Sequence, residues 1–446
     1  MQVKTTYKEI WSIAWPIILS SLANTVINFT DVAFVSRIGE KELAASALGG
    51  VFYFLLLMIG IAIGVGATIL IARKAGENKE SEIGTIYDNS LVILIAVSLL
   101  MLAGVYFFMP MLMNYVIQDT DVAKLCVAYL NVRGLGLVFM MVLISLRAFY
   151  TGIAVTRIVT YTTVVMMLLN ILLCYVFALG NFGFAALGIV GVALASAISE
   201  IVAALYALVY TFVKKEFRKF QLFKFKEIGK KTSIYILNLS APIVLQHLIS
   251  MGAWFVFFLM IEKMGSHELA VSNVVRGIYM VLMTPIWGFS QAANSMVSNV
   301  IGQGKKEEVL SLIGKIVRMS FVIGTISTLL VVIFPDFIFQ LSTSDKEIID
   351  SAKGSFYVIS FANIIFSVSM ILLSSVSGTG NTKAAMVIEI INIVVYLLYV
   401  YVFTILLPSR VEIVWGCEIL YWAMMALFSF LYLKSGKWKN YNLSNS

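Results

Sequence analysis

The sequence predicts an all-α membrane protein whose twelve transmembrane helices form two parallel six-helix bundles. Three observations predict this fold: an apolar composition, twelve long apolar segments, and an internal repeat with six segments in each copy. The chain has 446 residues, of which 60% are hydrophobic and only 13% charged, with a mean hydropathy of +0.95. Soluble globular chains carry about 25% charged residues, so this chain must place its apolar surface in lipid.

The twelve apolar segments are each long enough to cross a bilayer, which needs about 20 mostly apolar residues per helix. The predicted spans are 10–36, 46–72, 88–110, 124–147, 158–180, 187–213, 235–262, 270–298, 316–335, 351–374, 384–407 and 411–433. Helices are expected because alternating segments of about ten residues, typical of membrane strands, do not occur. The first span is too long for a cleavable signal peptide, and no small-residue cleavage site follows it.

The basic residues predict the orientation of the chain in the membrane. The net charge is +8. With the N-terminus inside, the cytoplasmic segments hold 23 Lys and Arg and the outer loops hold 7. Positively charged loops stay on the cytoplasmic side, so both termini are expected there, in the plasma membrane (the inner membrane if the source is a two-membrane bacterium). The positive charge therefore indicates membrane topology, and no nucleic-acid partner is expected.

The two halves of the chain resemble each other at a constant offset of 226 in residue number. The segment WPIILSSL at 15–22 matches APIVLQHL at 241–248, and RIGEKELAASA at 37–47 matches KMGSHELAVSN at 263–273. Later the offset becomes 222, where LLNILLCYV at 168–176 matches IINIVVYLL at 390–398. An even number of spans gives both copies the same orientation, as in transporters with parallel repeats.

This repeat predicts an N-lobe at 1–213, a basic cytoplasmic linker at 214–234 and a C-lobe at 235–446. The basic and aromatic linker suits a segment that lies along anionic headgroups. Two bundles suggest a central cleft, and no ATP-binding loop of the form GxxxxGK[ST] occurs. Energy is therefore expected from an ion gradient or from the gradient of the substrate itself. The three cysteines lie within spans without metal-ligand spacing, which predicts free, buried thiols and no metal or other cofactor.

A polar stripe interrupts the first span. Its members share one helical face because they follow one another at intervals of three or four: Ser21, Asn24, Asn28 and Asp31. At the offset of 226 the second half has His247, Ser250, Trp254 and Phe257 instead, so the stripe belongs to the first half alone. A charged side chain inside a membrane is costly and usually faces a cavity or a partner. Asp31 is the strongest functional candidate; the alternative is a structural hydrogen bond to a neighbouring helix.

Several motifs together resemble the multidrug and toxic compound extrusion (MATE) family. They are FTDVAFVSRIG at the end of span one, GENKE and GQGKKEE after spans two and eight, and GIAVTR and GTGNTK after spans four and ten. The resemblance covers nearly the whole chain. It implies a V-shaped pair of lobes that exports cationic or amphipathic compounds in exchange for protons or sodium.

The resemblance also implies an ion site in the N-lobe. Its acidic residue corresponds to Asp31, with Asn170 in span five and Ser196 in span six; the acid that several members have in span five is replaced here by Cys174. The polar stripe adds Asn28 to the residues predicted for ion coupling. A C-lobe site used in one branch of the family has Ser250 and Val368 at its acidic positions here. Loss of the span-five acid favours a proton over sodium, since a hard cation prefers several anionic or carbonyl oxygens.

Other intramembrane residues keep two interpretations open. Glu200 either replaces the missing span-five acid or is a hydrogen-bonded structural residue. Glu389 and Glu418 either form a cation-binding or substrate patch in the C-lobe or are structural acids, and Asn24 and Trp254 are candidates for the substrate cleft. Arg133 and Arg276 are interpreted as side chains that extend to the headgroups.

The function predicted from these patterns is ion-coupled efflux of small cationic or amphipathic compounds by a functional monomer. The alternative is a flippase for lipid-linked oligosaccharides of a related multi-span class, although the intramembrane charges are more acidic than an anionic substrate would favour. An enzyme is not expected, because neither HExxH nor GxSxG occurs. A channel is disfavoured by the internal duplication.

Overall fold

A computed structural model describes residues 2–225, 228–340, 342–343 and 345–440. The described residues contain helices, turns and irregular segments but no β-strand. Twelve of the helices in this part of the chain are long and apolar enough to span a membrane. The predicted all-α fold with twelve spans is therefore confirmed, and every predicted span overlaps one helix.

We number these twelve helices α1 to α12. Their bounds are α1 Tyr7–Val35, α2 Glu40–Gly76, α3 Glu80–Phe107, α4 Thr120–Gly152, α5 Arg157–Phe177, α6 Gly188–Val213, α7 Lys230–Glu262, α8 Ser266–Gly302, α9 Lys306–Ile333, α10 Lys346–Gly378, α11 Thr382–Leu406 and α12 Val411–Lys434. Shorter helical turns lie between or after them at Met109–Val116, Lys215–Phe220, Pro335–Gln340 and Lys437–Asn440. Helices suit lipid because each satisfies its own backbone hydrogen bonds.

The helices group into two compact units. Unit 1 contains residues 19–244, and unit 2 contains residues 2–18 together with the described chain from 245 onward. Helices α1 and α7 therefore each contribute one part to each unit. The lobe boundaries drawn from the sequence stay predictions.

The repeat is visible in local structure as well as in sequence. Asp119 caps α4 by accepting hydrogen bonds from the backbone N–H groups of Asp121 and Val122, and Asp345 caps α10 through Glu347 and Ile348 in the same way. The two caps correspond at the offset of 226. A side-chain oxygen at this position satisfies backbone donors that the first helical turn leaves free, so the two copies start these helices by the same device.

The linker between α6 and α7 packs partly on protein. Phe217 and Phe220 are buried, with ring centroids 6.0 and 5.3 Å from that of Phe149 on α4. Asp88 on α3 accepts hydrogen bonds from the backbone N–H groups of Phe223 (2.7 Å) and Phe225 (2.8 Å). The sequence predicts a linker that lies along the headgroups, but these contacts fix its aromatic part against unit 1. Linker residues 226–227 lie outside the described residues.

Candidate functional site

Asp31 lies at the centre of a hydrogen-bonded group built by three helices of unit 1. Its Oδ1 accepts from the Asn170 amide (3.1 Å) and lies 3.5 Å from the Cys174 thiol, and its Oδ2 accepts from the Ser196 hydroxyl (3.1 Å). The Asn170 amide also donates to Ser196 at 3.0 Å. The structure thus brings together three of the candidate residues, Asp31, Asn170 and Ser196, and places the Cys174 thiol beside them.

The helices hold these side chains in place through apolar packing next to the site. Asn170 and Cys174 are four residues apart on α5, so they lie on one helical face, and Ser196 lies on α6. An adjoining cluster of buried residues comprises Val35, Cys174, Ala178, Val192 and Ala195. It joins the C-terminal end of α1 to α5 and α6, which fixes the position of Asp31 beside its hydrogen-bond donors.

The donors around Asp31 suit a carboxylate that exchanges a proton. Asn170 and Ser196 are buried, 1% and 3% exposed. The Oδ1 atom of Asn170 is buried and has no hydrogen-bond partner among the described residues. Neutral N–H, O–H and S–H groups satisfy an ionised carboxyl without a metal, whereas a sodium ion would need several oxygens. No group of three His, Cys, Asp or Glu residues arranged to hold a metal ion occurs in the described part of the chain.

The other members of the polar stripe lie outside this hydrogen-bonded group. Asn28 is exposed and Asn24 is half-buried, one and two turns before Asp31 on α1. The hydrogen bonds of the Asp31 side chain come from α5 and α6 and not from its own helix. Of the predicted residues, Asn28 is therefore not brought into contact with Asp31.

Glu200 is held by a second group of buried residues. Arg133 on α4 donates to Glu200 Oε1 at 2.8 Å, and the Tyr53 hydroxyl on α2 donates to Oε2 at 2.9 Å. The Arg133 guanidinium lies 4.1 Å above the centre of the Tyr53 ring, which adds a cation–π contact. The interpretation of Arg133 as extending to the headgroups is wrong: a buried carboxylate within reach attracts its charge more strongly than distant lipid does.

The pairing of Arg133 with Glu200, and the role of Tyr53, are what sequence reasoning misses. The sequence shows the two charges separately, in spans four and six, and does not join them. Two opposite charges within spans of the same half are the available indication, since ions buried in a membrane usually pair. Tyr53 carries no such indication, because a tyrosine in an apolar helix is ordinary.

The two C-half acids lie in unit 2 and are held by neutral donors. Glu389 on α11 accepts from Ser250 (2.5 Å) and Tyr421 (2.5 Å) at Oε1 and from Gln246 (3.4 Å) at Oε2. Glu418 on α12 accepts at Oε2 from Tyr279 (3.1 Å) and Trp422 (3.0 Å). The two acids have separate sets of partners, so these hydrogen bonds do not join them into one patch.

The last of the substrate-cleft candidates lies in the second half of α7. Trp254 is half-buried, and its ring centroid is 6.0 Å from that of Phe258. The guanidinium of Arg276 lies 4.8 Å above the Phe258 ring. A role of Trp254 in a substrate cleft stays a prediction. The three cysteines, Cys126, Cys174 and Cys417, are free and buried, as predicted.

Comparison with known proteins gives the same family as the motifs. The MatE family model matches twice, at residues 16–176 and 242–402, so the second match starts at the offset of the repeat. The probable multidrug resistance protein NorM of Thermotoga maritima is 24% identical over 98% of this chain and 94% of that protein. The probable multidrug resistance protein NorM of Agrobacterium fabrum is 27% identical over 65% of this chain and 62% of that protein. The probable multidrug resistance protein YoeA of Bacillus subtilis is 22% identical over 85% of this chain and 82% of that protein.

Solved structures show the same fold at low sequence identity. A crystal structure of MATE in complex with MaL6 aligns with a TM-score of 0.89 at 19% identity, covering 96% of this chain and 95% of that one. An outward-facing multidrug resistance MATE family transporter aligns at 0.87 and 20% identity, with the same coverage of both chains. The MatE model covers more than half of the chain in two copies, and twelve helices of the described residues could span a membrane: this chain belongs to the MatE family and is a multi-pass membrane protein.

Proposed function

We propose that the protein is a secondary active efflux transporter that exports cationic or amphipathic compounds by alternating access, in exchange for protons or, as the alternative ion, sodium. Relatives named as multidrug resistance proteins support the transport of drugs. The observation that carries the coupling proposal is the Asp31 carboxyl, held by neutral donors from α5 and α6. The orientation with both termini in the cytoplasm, the plasma-membrane location and the functional monomer are parts of the same proposal.

A proton changes the hydrogen bonds that Asp31 can make. An ionised carboxylate only accepts, so Asn170, Ser196 and Cys174 all point donors at it. A protonated carboxyl must instead donate once, and the buried, unpartnered Oδ1 of Asn170 is an acceptor within the same group. Rotation of the Asn170 amide would supply that acceptor. Because Asn170 also holds Ser196, proton binding would alter how α1 packs on α5 and α6.

The choice of proton over sodium follows from the ligand set. Cys174 stands where the family resemblance implies a carboxylate in several members, and a neutral thiol is a poor ligand for a hard cation. Ser196 and the Asn170 amide nitrogen face Asp31 as donors. To bind a sodium ion, both Asn170 and Ser196 would have to rotate so that their oxygens face it. To bind a proton, only the Asn170 amide would have to rotate.

The test is uptake of a fluorescent organic cation into proteoliposomes that carry the purified protein. We expect an imposed pH gradient to drive transport and a sodium gradient of equal size to have little effect. Asp31→Asn should abolish pH-driven transport, because the amide keeps the size of the side chain but cannot exchange a proton. Asp121→Asn is the matched control, since that carboxylate is exposed at the outer end of α4. Undiminished pH-driven transport by Asp31→Asn would refute the proposal.

A further inference from the structure

The Arg133–Glu200 pair is a buried salt bridge that the proposed proton exchange does not use. The two side chains are 12% and 6% exposed. Gly136, one turn after Arg133 on α4, leaves the space for Glu200, because a Cβ atom at that position would overlap with Glu200 Oε2. With Arg133 on one oxygen and Tyr53 on the other, the carboxylate is held in a single position.

Asp31 and Arg133 contact α6 one turn apart, because Ser196 donates to Asp31 and Glu200 accepts from Arg133. Among the described residues, however, the salt bridge of Arg133 is formed with Glu200 and not with Asp31. The three groups carry a net charge of −1 when Asp31 is ionised and zero when it is protonated. An arginine that paired directly with Asp31 would keep that carboxylate ionised, and the proton could no longer bind near neutral pH.

We propose that Glu200 is a positioning residue that holds Arg133 away from Asp31 and thereby keeps Asp31 able to bind and release a proton. This inference rests on the proposed proton-coupled function, and it gives the Arg133–Glu200 pair a part in that function. Removal of either charge alone from a buried pair leaves the other uncompensated, which is strongly unfavourable. In the Glu200→Gln variant, Asp31 is the remaining carboxylate whose charge acts on Arg133.

The groups that surround Asp31 on the packed helices enter this argument together. The ionisable and charged side chains facing the region are Tyr53 on α2, Tyr129 and Arg133 on α4, Cys174 on α5 and Glu200 on α6. Arg147, further along α4, interacts electrostatically with Glu200 and donates to Thr163 at 2.8 Å. Arg133 is thus the cation whose release would affect Asp31 most directly.

The experiment compares the pH dependence of proton-driven transport in wild type, Glu200→Gln and the double variant Arg133→Met/Glu200→Gln, all in proteoliposomes. Glu200→Gln should lower the pH of half-maximal transport by about 1 to 3 units, the effect of an arginine next to an aspartate. The double variant lacks both charges and should return the midpoint towards the wild-type value. A purely structural role predicts less folded protein with an unchanged midpoint, and that result would overturn the proposal.

A fallback keeps the proposal testable where Glu200→Gln does not fold. Glu200→Asp retains the charge but shortens the side chain by one methylene, so it should loosen Arg133 and lower the midpoint by roughly half a unit, a fraction of the shift above. An unchanged midpoint in Glu200→Asp would equally refute the role. If wild type shows no pH-driven transport at all, the proposed function itself fails, which separates the two conclusions.

Discussion

The two halves of the chain use one scaffold for buried carboxylates but compensate their charges differently. Tyr53 and Tyr279 correspond at the offset of 226, and each donates its hydroxyl proton to a buried glutamate, Glu200 in unit 1 and Glu418 in unit 2. The acceptor lies on the sixth helix of each half. The repeat has therefore kept the tyrosine and its hydrogen bond, while the acid stands at different positions of that helix.

The difference lies in the partner of the acid. In the first half Arg133 supplies a positive charge, whereas position 359, at the offset of 226, is a buried isoleucine. At the offset of 222, Glu200 corresponds to Trp422, whose ring nitrogen donates to Glu418 one turn earlier. A neutral donor replaces the cation. A duplicated scaffold thus fixes where polar groups can meet, and single substitutions decide whether the group there is an ion pair or an acid held by neutral donors.

A second pair of positions shows the same principle near the N-terminal end of the fifth helix of each half. In unit 1, the hydroxyl oxygens of Ser20 and Thr163 are hydrogen-bonded at 2.6 Å. At the equivalent positions in unit 2, Gln246 Nε2 donates to Glu389 Oε2 at 3.4 Å. The hydroxyl pair is uncharged, but Glu389 brings a carboxyl that Ser250 and Tyr421 also bind. The second half therefore contains a buried acid where the first half has a threonine.

The largest expected effect separates these acids by function. Asp31→Asn should remove pH-driven transport, whereas Glu389→Gln should keep most of it, because a glutamine still accepts hydrogen bonds from Ser250 and Tyr421. Parallel assays of both variants in proteoliposomes under the same pH gradient would measure the difference. If Glu389→Gln lost pH-driven transport and Asp31→Asn kept it, the exchangeable proton would lie in the second half. That result would contradict the difference between the halves described above.

Much of the fold and part of the site followed from the sequence. The twelve spans came from apolar length alone, since lipid imposes a minimum on each helix. The family resemblance implied that Asn170 and Ser196 belong to one site with Asp31. These residues lie 139 and 165 positions after Asp31 in the sequence. Without that resemblance, the stripe on span one would have predicted a functional face but not its partners.

The rest of the site depends on how helices rotate against each other. Arg133 and Glu200 are 67 residues apart, and hydropathy does not determine which faces of α4 and α6 meet. The same holds for Glu389, whose partners Ser250 and Tyr421 lie on α7 and α12. Exposure of Asn28 was unpredictable for the same reason: a polar stripe is broader than the contact that any one of its residues makes.

A smaller effect, on stability, is expected from removing the tyrosine hydroxyl that donates to the buried glutamate of each half. Tyr279→Phe leaves Glu418 with the Trp422 donor and takes away one acceptor for the ring nitrogen of Trp422, so it should lower the free energy of unfolding by about 1–3 kcal/mol. Tyr53→Phe should cost less, because Glu200 keeps its salt bridge to Arg133. Thermal unfolding of the purified variants in detergent measures both, with exposed Tyr115→Phe as the control. Equal losses in the two halves would show that the arginine does not compensate.

The smallest effect concerns the two helix caps outside the membrane. Backbone N–H groups of Asp121 and Val122 hold the pKa of Asp119 below its ordinary value, with Lys41 as a weaker contributor. A lowered folded-state pKa means that the stabilisation is present above the unfolded pKa, about 3.9, and is lost as the pH falls through the folded value. Asp119→Ala should therefore lower Tm slightly at pH 7 and by less near pH 3, as thermal unfolding at the two pH values would measure.

Asp345→Ala should lower Tm at pH 7 by a similar amount, since it removes the same pair of backbone hydrogen bonds from α10. The Lys41 contact to Asp119 joins two exposed side chains, 3.4 Å apart, and exposed pairs of this kind contribute little. Thermal unfolding of both variants in low and high salt tests this equivalence. A clearly larger and salt-sensitive loss in Asp119→Ala would mean that the first half relies on the ion pair, and the caps would then differ as the buried acids do.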